Sequence, residues 1–202
     1  MNRQITVIGA AATLAIGLGI TLLGQEQDRF PDVQDEAKAA SGRVQTVVYD
    51  VACDARTFRL NKSGTLLDAR RGDGFIVEGK IYPAGTIPAG GTMDNPGSFD
   101  LDTAPGSVGT WVCRGTFNSD IEDILKGAHP HLYSTQLHLF NNDSGLVHEG
   151  PEGGAPQLRA LIGGTGGLAG AAGQVREEPI GVNRTGLFNI RHTFQIKTGS
   201  LR

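Results

Sequence analysis

The chain is poor in several things that would mark it quickly. Its 202 residues include two cysteines, two methionines and one tryptophan, and only 6% are aromatic. With Cys53 and Cys113 alone, at most one disulfide can form within the chain. Eighteen basic against 21 acidic residues leave a net charge of −3, so there is no basic footprint for nucleic acid or for anionic lipid. Beyond the N-terminal segment no long stretch repeats its apolar residues every 3.6 positions, which excludes a helical bundle. No serine stands in a G-x-S-x-G, so the strained nucleophile turn of one large hydrolase class is absent.

Glycine, in contrast, is abundant, at 30 of 202. It concentrates in Arg159–Gly173, where Gly163, Gly164, Gly166, Gly167, Gly170 and Gly173 follow the apolar run Leu158-Arg-Ala-Leu-Ile162. Such a segment makes either a phosphate cradle or a sharp corner between strands. A cradle needs a Lys-Ser/Thr pair and a helix N-terminus after it, and neither follows. The stretch is read as a structural corner.

The N-terminus has a different character. Asn2-Arg3-Gln4 precedes an uncharged apolar run from Ile5 to Leu23, which Gln25-Glu26-Gln27-Asp28-Arg29 ends. Residues 1–24 are therefore expected to be a signal peptide, with Ala37-Lys38-Ala39 a cleavage site, or an uncleaved membrane anchor, since the run is long enough to span a bilayer. Residues 25–43 read as a polar linker, and 44–202 as one domain. Export, to the periplasm or beyond the cell, is the expectation. In an oxidising compartment Cys53 and Cys113 could pair, and two buried thiols are the equal alternative.

The remainder breaks into short strand-like runs, at 44–53, 57–60, 74–82, 109–117, 132–140, 145–149, 158–162, 172–180 and 188–197, with two-residue alternation in 74–82, 109–117 and, most clearly, 188–197. Asp120–Leu125 has room for one helical turn, and Pro83–Pro105 is a long irregular loop. In the last run Phe188, Ile190, His192, Phe194 and Ile196 share one side. Short strands at even spacing with glycine-rich turns predict an all-β sandwich or barrel.

The glycine corner GGTGGLAGAAG resembles the GGTG-aromatic-xxARG signature of dirigent proteins and the matching segment of allene oxide cyclases. The wider pattern, with FIVEGKIYPAGT, GTWVCRGTF, the Thr135-Gln136 strand and FNIRHTFQI, is similar to bacterial exported homologues of that barrel, over roughly Val44 to Lys197. The resemblance implies an eight-stranded antiparallel β-barrel, usually trimeric, around an apolar cavity. Leu168 replaces the usual aromatic and Ala172 the arginine of the ARG triplet, so any ion pair made by that arginine cannot form here.

The resemblance also points to Asp50, in VVYDV, where dirigent proteins carry a His-Asp pair on the first strand and the cyclases a glutamate; Tyr49 takes the histidine's place. A carboxyl pointing into an apolar barrel would have a raised pKa and serve as a general acid. Glu78, which interrupts an apolar strand, and His192, on the apolar face of the last run, are the other catalytic candidates, with cross-strand pairing and a satisfied core histidine as their plainer readings. Tyr49, Arg114, Tyr133 and Glu177 are candidates for the cavity wall.

His129, His131, His138 and His148 suggest a metal site only weakly. Ser134, Thr135 and Gln136 stand where an acidic ligand would be wanted, and His131 and His138 differ by an odd number of residues. No metal and no cofactor is expected. The expected partner is a small hydrophobic molecule, with a membrane involved only through the N-terminal segment and a homo-trimer implied by the resemblance. The implied function is a cofactor-free cyclase or isomerase; the alternatives are a lipocalin-like carrier and a structural envelope protein with a filled barrel.

Overall fold

The computed structural model describes residues 43–126, 131–153 and 156–198. Nine strands follow one another: β1 (Arg43–Cys53), β2 (Arg59–Leu60), β3 (Gly74–Pro83), β4 (Gly109–Phe117), β5 (Leu132–Phe140), β6 (Gly145–Glu152), β7 (Gln157–Thr165), β8 (Ala172–Val182) and β9 (Phe188–Thr198). One short helix, α1 (Ile121–Leu125), caps the run after β4, where a helical turn is expected from sequence. The segments read as signal and linker fall almost wholly on residues 1–42, outside the described residues.

All pairings within the sheet are antiparallel, and each of β3 to β9 lies beside its neighbour in sequence. β1 pairs with both β9 and β3, which closes eight strands into a barrel and leaves the two-residue β2 on the outer part of β3. Closure gives every long strand two partners and removes exposed edges.

Inside, the alternation of each strand sorts the side chains. Val51, Cys53, Phe75, Val77, Trp111, Cys113, Phe117 and Ile190 make an apolar floor, closed by Ile121 of α1. A second apolar group, with Leu146, Leu161, Val175, Phe194 and Ile196, occupies the opposite half. Between them lies a polar layer.

The outside of β1 is also buried. Ala52, Tyr82, Ile87 and Leu101 form a third cluster in which the loop between β3 and β4 lies against the barrel wall. Gly90 of this loop bridges Gly181 of β8, and Gly97 N–H donates to Val182 O at 2.8 Å. Because both of its faces are covered, β1 reads in sequence as a nearly continuous apolar run.

The glycine stretch is the corner it was expected to be. β7 ends at Thr165, a single 3-10 turn spans Gly166–Leu168, and β8 begins at Ala172. Gly166 takes a φ of 58°, and a Cβ at Gly173, whose φ is 146°, would collide with Gln195 O on β9. A corner this tight needs glycine at those two positions.

Candidate functional site

The inward side chains of β5, taken from one barrel end downward, are Phe140, His138, Gln136 and Ser134, at intervals of two residues on one face. β6 contributes His148 and Glu152, β7 Arg159, β8 Glu177 and β9 His192. β7 carries one extra residue opposite the step from Val147 to His148, a bulge of the kind that re-aims side chains. Apart from Glu152, which is nearly covered, these polar side chains are buried.

Their hydrogen bonds form one connected network. Glu177 Oε2 accepts from Gln136 Nε2 at 2.8 Å and faces His192 Nε2 at 3.3 Å. Gln136 Nε2 also donates to Glu152 Oε1 at 2.8 Å, while its Oε1 accepts from Trp111 Nε1 at 2.9 Å. Arg159 holds the centre: its Nε donates to His148 Nδ1 at 3.0 Å, its Nη2 to Ser134 O and Oγ, and its Nη1 pairs with Glu152 at 3.3 Å. Ser134 Oγ in turn donates to Glu152 Oε1. A ring nitrogen facing a carboxylate carries a proton, so His192 meets Glu177 through Nε2 as the donor, and Nδ1 is its other ring nitrogen. In a neutral His148 the bond from Arg159 puts the proton on Nε2.

Their partners split the two buried glutamates. Burial raises both. It pushes the Glu152 carboxyl up, and the nearby Glu177 charge adds to the effect, more than Arg159, Ser134 and Gln136 offset. Burial also opposes ionisation of Glu177, but the His192 contact, Arg159 and Gln136 outweigh it and hold that carboxyl below its ordinary value. Burial, reinforced by His192 and Arg159, keeps the His138 and His148 rings well below the usual histidine range. Two carboxyls with values moved apart give the layer one group suited to carry a proton and one suited to stay charged.

Aromatic rings connect this layer to the surface. Phe140 lies 6.3 Å from His138 between ring centres and 4.9 Å from Tyr49, and Phe194 lies 5.0 Å from His138 and 6.3 Å from Tyr49. Above them opens a groove of about 560 Å³ at the barrel end, lined by Tyr49, Val108, Phe140, Asn141, Gly167 and Leu168. The glycine corner therefore forms part of the rim of this mouth. A volume of that order suits a small organic molecule.

The residues expected from sequence divide sharply. His192 and Glu177 meet inside the barrel, and Tyr49 lies at the mouth. Asp50 does not join them. It lies on the opposite face of β1 from Tyr49 and Val51, beneath the β3–β4 loop, where it accepts from Arg191 Nε at 2.8 Å and Gly85 N–H at 2.7 Å. The expectation of an inward carboxyl at this position is corrected: Asp50 ties the loop to the wall. Glu78, Arg114 and Tyr133 are exposed on the outer surface, where the alternation of β3, β4 and β5 directs them away from the interior. Arg114 and Tyr133 border an outer groove with Arg59, Ile76 and Glu149. Cys53 and Cys113 are free and buried in the floor, and burial pushes both thiols well up.

Reasoning from sequence missed Arg159, Glu152, Ser134 and Gln136, and it took His138 and His148 with the wrong companions. His131 precedes β5, and His129 lies outside the described residues. The available signal was the parity of polar residues in two runs, Ser134-Gln136-His138 and His148-Glu152, each on one face of its strand.

Solved structures with a similar architecture include dirigent proteins. The pterocarpan synthase dirigent protein PsPTS1 matches with a TM-score of 0.55 and 13% identity over 77% of this chain and 95% of its own. GePTS1, another pterocarpan synthase dirigent protein, gives 0.54 and 12% over 78% and 91%. A pyocyanin demethylase gives 0.46 and 17% over 74% and 100%. No family model and no curated protein matches the sequence. At these identities the likeness is one of fold, that of the dirigent-type eight-stranded barrel.

Proposed function

We propose that the barrel takes a small hydrophobic molecule into the mouth beside Tyr49 and Phe140 and steers its cyclisation or isomerisation by moving a proton at the buried polar layer. The observation that supports this reading is the stack of mouth aromatics directly on a satisfied Glu–Arg–Gln network with unpartnered histidine nitrogens above it. A barrel whose interior served stability alone would be filled with apolar side chains, because buried charges contribute little net stability. Glu177 is the group in contact with the layer's proton carriers, and Arg159, Gln136 and His192 hold its carboxylate in place. The dirigent likeness, a fold shared with proteins titled pterocarpan synthases, fits a barrel that folds a flexible substrate toward one geometry.

One observation favours the carrier alternative. His138, His148 and His192 are fully covered, so a ligand resting in the groove does not touch them until Phe140 moves. Mass spectrometry of small molecules released from denatured full-length protein separates the two readings. A product together with its uncyclised precursor supports the enzyme, whereas a single unaltered lipid supports the carrier. Glu177→Gln is expected to keep ligand at the mouth and to slow turnover about 10²–10³-fold, the usual range for losing a preorganised charge beside the reacting group. Unchanged turnover in that variant would remove Glu177 from the chemistry. Export belongs to the same proposal, supported by the uncharged run Ile5–Leu23, and cell fractionation with N-terminal sequencing tests it.

A further inference from the structure

We propose that His138, His148 and His192 are the protein ligands of a divalent transition-metal ion of the zinc type. They come from three strands, β5, β6 and β9, and one ring nitrogen from each lies within 4.8 Å of the other two. Their ring centres are 4.9, 5.1 and 5.3 Å apart. Three imidazoles bound tetrahedrally at a metal–nitrogen distance of about 2.0–2.1 Å hold their ring centres about 5 Å apart. The ring centres already stand at the spacing a metal would impose, and the ligating nitrogens, which lie within 4.8 Å of one another, would close to about 3.3 Å around the ion.

The nitrogens are also uncommitted. Both of His138, Nε2 of His148 and Nδ1 of His192 have no hydrogen-bond partner among the described residues, and all three side chains are fully buried. Unpaired buried nitrogens are expensive, and three converging histidines place that cost at one point. His192 has the support typical of a metal-bound imidazole: its other nitrogen faces the Glu177 carboxylate, which Gln136 and Arg159 hold.

Charge and donor type agree with a dication. Three imidazoles without a thiolate suit zinc, copper, nickel or iron rather than calcium or magnesium. Glu152 and Glu177 with the single cation Arg159 leave one excess negative charge when both carboxyls are ionised, which a dication bearing one hydroxide would neutralise. Arg159 is the group that must yield, because its Nε occupies His148 Nδ1. Glu177 Oε2, already 3.6 Å from that Nε, can take the bond over and release the ring. Three protein ligands then leave a fourth position for water or a substrate oxygen.

The site stands independently of the mouth, since metal uptake is read directly and not through turnover. Full-length protein is stripped with chelator, dialysed against Zn2+ or Co2+, and assayed by elemental analysis and visible absorption. The expected result is about one metal per chain and the intense bands of tetrahedral nitrogen-ligated Co2+. His138→Asn and His192→Asn should each lose the bands, and Glu177→Gln should weaken binding about 10–100-fold, with circular dichroism confirming the fold of each. Wild-type protein that retains less than about one-tenth of an equivalent and shows no Co2+ bands overturns the site, as does full uptake by the histidine variants. Should those variants not fold, the wild-type uptake and Co2+ spectrum decide by themselves.

Discussion

Asp50 and Arg191, 141 positions apart in sequence, meet on the outer wall of the barrel at 2.8 Å. The pair joins β1 to β9, and the second Asp50 oxygen reaches across to Gly85 N–H in the β3–β4 loop. A carboxylate that looked like a barrel acid is a fastener for the loop.

Asp50→Ala should therefore cost stability and leave the interior untouched. It strips Gly85 N–H of a partner and unpairs a partly solvated Arg191, for a loss of about 2 kcal/mol. Thermal unfolding should shift down by several degrees while ligand retention at the mouth persists. Loss of turnover in a variant that keeps its melting temperature would contradict this assignment.

The buried histidines set the acid limit of the fold. Burial holds His138 and His148 well below the ordinary value, so the unfolded chain binds protons that the native barrel does not. Their contribution is complete above the unfolded pKa of about 6.5 and falls as pH drops below it, by up to ~1.4 kcal/mol per pH unit for each ring. Urea midpoints of chelator-treated protein, taken from pH 8 to pH 5, should decline from near that value. The carboxyls of Asp68 and Asp73, held low by hydrogen bonds from Thr65 and from Lys62 and Arg70, lose their contribution only at more acid pH. A flat profile down to pH 5 would show that these rings do not stay neutral.

Phe140 lines the groove and stands 6.3 Å from His138 between ring centres. Phe140→Ala should admit diethylpyrocarbonate to His138, raising native-state histidine modification about tenfold, at a stability cost of no more than ~3 kcal/mol for a half-buried ring. Modification at the wild-type rate would mean that access runs elsewhere.

The thiols give a simple count. With Cys53 and Cys113 free and buried, native protein should react with neither equivalent of a thiol reagent, and unfolded protein with two. No reaction after unfolding would reveal a disulfide instead.

Period-two alternation and turn chemistry were enough to place the strands, because both are local. Trp111-Cys113-Phe117 in β4 and Ile190-His192-Phe194-Ile196 in β9 declare their inward faces within a single run, and the glycines of Gly163–Gly173 declare a corner through their own backbone freedom. The same local evidence put His192 inside. It failed for Asp50, since the β3–β4 loop buries the outer face of β1 and erases the contrast between its two sides. Nor could it assemble the site, whose members lie on β5, β6, β7, β8 and β9 and meet only after the sheet closes with β1 between β9 and β3. The sequence by itself determined an all-β chain with a glycine corner and inward parity for His192. Only the tertiary structure, through closure, strand register and the bulge beside His148, decided that three histidines and a Glu–Arg network share one interior point.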